Sequence, residues 1–395
     1  MSVGSNRALC EIVSGIIAAI GRIAFAEYMD LVLYHPQHGY YASGAANIGS
    51  QGDFFTSPHL GADFGELLAK QLLEMWEILG RPKPFTLVEM GAGQGLVAVD
   101  VLLYLHRHYP EFFDALEYII VEKAAAAIAQ QQQLIQKVAP TAQLRWATLE
   151  EIPNDSIVGC CFSNELVDAL PVHQIVIEGG QLREIYVTTG SGEREFVEVT
   201  GELSTPRLAE YFDLVGIELT GGAYPDGYRS EVNLAALDWI STVADKVQRS
   251  YLLTIDYGYK ATRYYSPGRS QGTLQCYYRH RHHDNPYIYI GHQDITAHVD
   301  FTALERQGEL CGMSRVGFTQ QGLFLMALGL GERLSAITTS GTESQGIQEV
   351  LRRRQALHQL IDPMGLGGFG VLVQSKGLSE EERGRQIKGL RTPAM

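Results

Sequence analysis

Cysteine is scarce in this chain, and what there is does not pair. The five residues are Cys10, Cys160, Cys161, Cys276 and Cys311, with no C-x-x-C among them. An odd count without ligand spacing argues against a disulfide framework and against a cysteine zinc site, and it suggests a reducing compartment. Positive charge is the second deficit. Against 45 Asp and Glu stand 31 Lys and Arg, a formal net charge of −14. That balance argues against a general phosphate-binding surface, and so against nucleic acid as a partner. Long apolar runs are the third. Ile12–Ile20 is too short to span a bilayer, is closely flanked by Glu11 and Arg22, and has no basic segment leading to a clear cleavage site. It reads as an amphipathic helix ending near Phe25–Met29. Repeats and long low-complexity stretches are absent. The expectation is a cytoplasmic protein with no membrane span. At 395 residues it needs one large core with insertions, or two domains.

What is present begins with a glycine turn. The apolar run Phe85-Thr86-Leu87 leads into Val88-Glu89-Met90-Gly91-Ala92-Gly93-Gln94-Gly95. Glycine lets the backbone turn sharply and lets a ligand lie against the main chain. A hydride-transfer dinucleotide site would want a third glycine at position 96, where this chain has Leu96. The G-x-G-x-G spacing with Glu89 instead resembles the cofactor loop of class I S-adenosylmethionine (SAM) methyltransferases. That makes Glu89, Gly91, Ala92, Gly93 and Gly95 candidate cofactor residues; the plainer alternative is a tight turn. The next strand, Tyr118–Val121, ends in Glu122. A carboxylate there is placed to accept two ribose hydroxyls, or it is a surface acid at a strand end. The spacing between the two predicts a helix from about Leu96 to Arg107.

A third apolar run, Ile157–Ser163, is followed by Asn164-Glu165-Leu166-Val167-Asp168-Ala169-Leu170-Pro171-Val172. Ligands of open α/β sheets bind outside the carboxyl ends of the strands, so Asn164 and Glu165 are site candidates. The same residues could start a helix, with Asn164 as cap and Glu165 and Asp168 on one face. The chain therefore reads as α/β, in four stretches. Residues 1–80 are an N-terminal helical extension with an aromatic loop, 81–175 a Rossmann-like core, 176–248 an inserted α+β lid, and 249–395 the rest of the core. Within the lid, Gln174–Ile177 and Leu182–Val187 around Gly179-Gly180 predict a hairpin. Helix is expected from Glu231 to Val247, a strand at Tyr251–Asp256, an irregular loop over 258–295, and closing strands and a helix between Phe318 and Val373. His280, His282, His283 and His292 with Asp284 match no metal-site spacing, and no metal is expected. His298 and Asp300 read as helix capping or as a wall of an acceptor pocket.

With these motifs assembled, the chain resembles the MidA family of SAM-dependent methyltransferases, over about residues 20–375. The family includes a mitochondrial complex I assembly factor that methylates an arginine. Besides the glycine loop and Asn164 through Val172, the resemblance rests on Phe25–Met29, Leu33–Pro36, Gly39–Tyr41, Gly52–Pro58, Arg229–Val232, Ile255–Gly258, Gly272–Leu274 and Asp294–Phe301. The basic stretch Arg279–His283 departs from the family's sparser pattern. The resemblance implies S-adenosyl-L-methionine as cofactor and a protein arginine as acceptor, in a respiratory or NADH dehydrogenase complex subunit or another target. A cationic acceptor favours carboxylates that grip its guanidinium. Glu165 and Glu231 are the expected clamp, with Asn164 and Asp168 as further catalytic candidates. Asp53, Thr56 and Ser57 lie in the aromatic loop that could close over the cofactor. Small-molecule methyl transfer and a non-catalytic assembly role stay open, as does a homodimer. Base methylation of nucleic acid is disfavoured, because Asn164 is followed by Glu-Leu-Val and not by the Pro-Pro-aromatic of those enzymes.

Overall fold

The computed structural model describes residues 4–41, 56–190, 196–279, 281–339 and 347–392. The chain forms two compact units, each drawn from three stretches. The first takes Met1–Phe55, Val167–Ile240 and Gly258–Gln307, the second Thr56–Leu166, Ser241–Tyr257 and Gly308–Met395. Most of the N-terminal extension and most of the expected lid thus fold into one body.

The second unit is built on one seven-stranded sheet: β1 Phe85–Met90, β2 Leu116–Val121, β3 Leu144–Ala147, β4 Ile157–Asn164, β5 Val247–Asp256, β6 Ser314–Gln320 and β7 Gly370–Lys376. The spatial order is β6-β7-β5-β4-β1-β2-β3. The strands β3, β2, β1, β4 and β5 run parallel, and β7 is antiparallel to both its neighbours. Central parallel strands are covered on both faces, which is why β1 is buried at all six positions, the polar Thr86 and Glu89 included. Helices Asp63–Ile78 and Leu96–His108 contribute Leu67, Leu68, Leu72, Val101 and Leu105 to the core beside Leu87, Phe162 and Leu253. Strand order reverses at β1, between β2 and β4, which is the switch point where this architecture binds ligands. Register brings the strand ends level: Met90 lies opposite Val121 and Ser163, and Ser163 opposite Thr254. Gly91, Glu122 and Asn164 therefore leave the sheet along one edge.

The first unit has an antiparallel sheet in the order Ile23–Ala24, Gln181–Thr189, His173–Glu178, Arg229–Val232, with Phe196–Gly201 also paired to Gln181–Thr189. The predicted hairpin forms. Gly179 and Gly180 take φ of 58° and 73° between Glu178 and Gln181, the left-handed pair a two-residue turn requires. The N-terminal expectation needs correction: helix Arg7–Ile20 stops at Gly21, and a separate helix runs Phe25–Tyr34. The helix expected from Glu231 begins only at Leu234, because Arg229–Val232 pairs as a strand. The stretch 258–295 is not wholly irregular either. It carries a short helix, Ala261–Tyr264, and a three-stranded sheet of Arg281–His283, Gln275–Tyr278 and Asp294–Thr296. Among the described residues no helix is long and apolar enough to cross a membrane.

Candidate cofactor loop and acceptor-side acids

The glycine loop is a run of left-handed turns at the end of β1. Gly91, Gly93 and Gly95 have φ of 74°, 52° and 79°, and the amide of Gly95 closes the turn on the carbonyl of Ala92 at 2.8 Å. Each glycine has its own reason. A Cβ at Gly91 would come within 2.9 Å of Leu166 Cδ1, and one at Gly95 within 3.3 Å of Gln131 Cγ, whereas one at Gly93 would meet nothing within 4 Å. Gly91 and Gly95 thus allow close packing, and Gly93 presents bare backbone to open space. Helix Leu96–His108 begins directly after Gly95, so the loop ends at a helix N-terminus with its exposed N–H groups.

Glu89 does not reach this loop's outer side. It is buried in the sheet, and Tyr118 donates its hydroxyl to Oε2 at 2.7 Å. Burial pushes its pKa from 4.5 up to about 7, against the stabilising Tyr118 bond. Glu122 stands at the matching end of β2. Its Oε1 accepts the amides of Lys123 and Ala124 at 2.8 and 2.9 Å, which fixes the turn, and the residue lines a 560 Å³ pocket with Ile128, Trp146, Thr148 and Glu151.

At the end of β4 the helix-cap alternative fails. Glu165 has φ 53°, in the left-handed region that a non-glycine residue avoids, and the only helical turn that follows is the short Val167–Ala169. Glu165 and Asp168 do not share a helix face, and they fall in different units. Contacts within its own unit hold Glu165: its amide donates to the Ile255 carbonyl at 2.9 Å, and Oε1 accepts from Asn164 Nδ2 at 3.2 Å and from the Ser57 amide at 3.4 Å. Asn164 Oδ1 is buried with no hydrogen-bond partner among the described residues.

The loop preceding Asp63 joins this group. Ser57 is buried, its hydroxyl bonded to Gln321, and Thr56 Oγ1 lies 2.7 Å from His59 Nδ1. Burial holds His59 below its ordinary pKa, and the polar side chain of Gln94 in the glycine loop opposes the shift. Asp53 lies outside the described residues. The structure therefore brings Thr56, Ser57, the glycine loop, Asn164 and Glu165 together in one unit.

Glu231 belongs to the first unit, and its contacts are structural. Oε2 accepts the Thr273 amide at 2.9 Å, the Thr273 hydroxyl at 2.9 Å and the Tyr264 hydroxyl at 3.1 Å; Oε1 accepts the Thr273 and Leu274 amides at 3.1 and 3.3 Å. Burial raises its pKa despite these donors. A Cβ at Gly272 would sit 2.0 Å from Oε1. Two motifs far apart in sequence, Arg229–Val232 and Gly272–Leu274, thus form a single feature: a carboxylate and the glycine turn that wraps it. Asp168 is buried in the same unit, its carbonyl accepting the Ala297 amide at 2.9 Å. Asp300 caps helix Phe301–Leu310 through the Thr302 and Ala303 amides, while His298 instead stacks on Tyr259 with ring centroids 5.2 Å apart. Two residues the motifs did not flag touch the loop or its support: Gln131, inside a glutamine-rich helix, and Trp146 on β3, which bonds Gln131.

A seven-stranded sheet of this order with a reversed β7, and a glycine turn at its switch point, define a class I methyltransferase fold. The chain belongs to the family described as "Putative S-adenosyl-L-methionine-dependent methyltransferase", whose model matches residues 67–319. A Drosophila melanogaster relative, "Protein arginine methyltransferase NDUFAF7 homolog, mitochondrial", is 30% identical over 89% of this chain and 80% of its own length. The human protein of that name, without "homolog", is 27% identical over 89% of this chain and 79% of its own. A solved structure from Burkholderia thailandensis, bound to S-adenosyl-homocysteine, superposes with a TM-score of 0.83 at 30% identity, covering 96% of this chain and 95% of that one. The relatives' names place them in mitochondria, and this overturns the expectation of a cytoplasmic protein. That expectation rested on unpaired cysteines, which do not distinguish one reducing compartment from another.

The cofactor is SAM, and the residues fit it on two observations. Gly93 leaves open the backbone surface that a bulky ligand needs, and Asn164 Oδ1 is a buried acceptor still able to take a donor such as an ammonium group.

Proposed function

We propose that this chain transfers the SAM methyl group to an arginine side chain of a protein, with Glu165 gripping the acceptor guanidinium. The observation that carries the reading is the backbone of Glu165. A glutamate held at φ 53° beside the cofactor loop is a strained residue at a ligand-binding edge, where strain of this kind concentrates. Names borne by the relatives support arginine as the acceptor. For the acceptor itself we propose a respiratory-complex subunit, on the resemblance to the assembly-factor family.

SAM supplies an activated methyl group on a sulfonium. The guanidinium nitrogen forms the new N–C bond as the C–S bond breaks, the electron pair stays on sulfur, and the nitrogen then releases a proton. The protein's task is alignment and water exclusion. Glu165 orients the guanidinium fork and balances its charge. Asn164 fixes Glu165 through Nδ2. Within the first unit, Asp168 is proposed as a further catalytic acid, and Glu231 as the scaffold of the Gly272–Leu274 turn. On the cofactor side we assign Gly91–Gly95, Glu122 for the ribose, and Thr56 with Ser57. Glu89 supports the loop from inside the sheet.

The test is radiolabelled methyl transfer from SAM to an extract of a deletion strain, with S-adenosylhomocysteine calorimetry alongside. Glu165→Gln keeps shape and loses charge, so transfer should fall by an order of magnitude or more with cofactor affinity retained. Full transfer by Glu165→Gln would remove the acceptor grip from that residue.

A further inference from the structure

Gln131 is completely buried, yet both ends of its amide are engaged. Nε2 donates to the carbonyl of Gly93 at 2.8 Å, and Oε1 accepts from Trp146 Nε1 at 2.7 Å. An indole nitrogen only donates, so it can meet only the oxygen end of the amide, and the nitrogen end must face Gly93. The orientation of Gln131 is thereby set by Trp146. The same side chain also packs behind the turn, where its Cγ lies 3.3 Å from the position of a Gly95 Cβ. Gly93 is the residue of the loop that faces open space, and its carbonyl is the one that Gln131 holds. Trp146 in turn lines the pocket that contains Glu122.

We propose that Gln131 and Trp146 are positioning residues for the cofactor. They fix the peptide plane of Gly93 and tie the shape of the glycine loop to the wall of the nucleoside pocket at Glu122, so that the two halves of the cofactor site are held in one geometry. Neither residue need touch a reacting atom. The chain Trp146–Gln131–Gly93 runs between β3, helix Ala125–Val138 and the end of β1, joining three elements of the second unit.

The proposal is tested on the full chain with S-adenosylhomocysteine as probe. Gln131→Glu keeps the acceptor that Trp146 needs but cannot donate to Gly93 while ionised. Calorimetry is run over the range in which a buried carboxyl titrates, about pH 5 to 8. At the upper end affinity should fall about tenfold or more, because the Gly93 carbonyl loses its donor and faces a charge. Towards the lower end the carboxyl takes a proton, can donate again, and affinity should recover towards wild type, which shows no such recovery. In turnover, KM for SAM should rise more than kcat falls. Trp146→Phe keeps the ring, releases the amide to turn over, and should weaken binding several-fold. It also removes one of three tryptophans, so a fluorescence response to the ligand present in the wild type should disappear with it. Gln131→Glu binding within about twofold of wild type at every pH overturns the assignment. Should that variant fail to fold, unchanged affinity and an unchanged fluorescence response in Trp146→Phe overturn it equally.

Discussion

Replacing Glu165 by glycine and, separately, by alanine reads the backbone at that position apart from the carboxylate. Both variants lose the contacts of Oε1 with Asn164 and Ser57, so those losses cancel between them. What differs is the Cβ. At φ 53° the Cβ of alanine crowds the following carbonyl, a penalty of about 1–2 kcal/mol that glycine does not carry. Glycine gains more freedom in the unfolded chain, which works against it by about 0.5–1 kcal/mol. The difference leaves Glu165→Gly more stable than Glu165→Ala by about 1 kcal/mol, the reverse of the ordering at a relaxed position. Urea unfolding of the two variants, compared only if their slopes agree, measures this directly. Both should keep cofactor binding and lose methyl transfer. An alanine variant as stable as the glycine variant would show that the position is relaxed, and would take away the argument that Glu165 is held there for function.

Three further outcomes follow from the geometry. Folded Glu89 binds its proton more tightly than the unfolded chain does, so stability falls as pH rises from 4.5 through about 7 and then levels; Glu89→Gln, which keeps an acceptor for Tyr118, should remove a slope worth about 3 kcal/mol in urea titrations on either side of that window, and an unaltered slope would assign the pH dependence to other groups. Gly93→Ala should strain the loop by only about 1 kcal/mol yet abolish S-adenosylhomocysteine binding in calorimetry, since the added methyl occupies space that the protein leaves open; full affinity would put the ligand elsewhere. Glu231→Gln should lower the melting temperature rather than kcat alone, because an amide nitrogen then opposes the N–H groups of Thr273 and Leu274 at a loss of about 1–3 kcal/mol, and a variant with native stability but no transfer would return Glu231 to the acceptor side.

The parallel sheet is legible because its strands are buried on both faces and stand out as continuous apolar runs. Phe85–Met90, Tyr118–Val121 and Ile157–Ser163 each lie within one strand, and the glycines follow the first of them directly. Periodicity is a poorer guide where a segment's partner is remote. Arg229–Val232 sits next to a helix in sequence and reads as part of it, but its backbone pairs with His173–Glu178, more than 50 positions earlier. Unit membership is hidden for the same reason: nothing in residues 4–41 says that they pack with residues after Val167.

The site divides along the same line. Glycine spacing is a local signal, since a run of left-handed turns needs glycine whatever surrounds it, and Gly91, Gly93 and Gly95 are therefore readable. The acids are readable only as residue types. Whether a carboxylate is turned to a ligand or consumed by its own scaffold depends on which donors the fold delivers, and for Glu231 they arrive from a turn about 40 residues on, at Thr273 and Leu274. A sequence motif containing an acid and a second motif containing a glycine turn look like two candidate sites; the physics of burying a carboxylate makes them one, because a buried charge requires donors and a wrapped backbone requires a residue without a Cβ. Gln131 carries this furthest. In a row of four glutamines nothing local marks the one that faces inward, yet it alone is completely buried, and a buried amide must be satisfied at both ends. The partners that satisfy it, Gly93 and Trp146, lie on either side of it in the chain, and they place it at the cofactor loop.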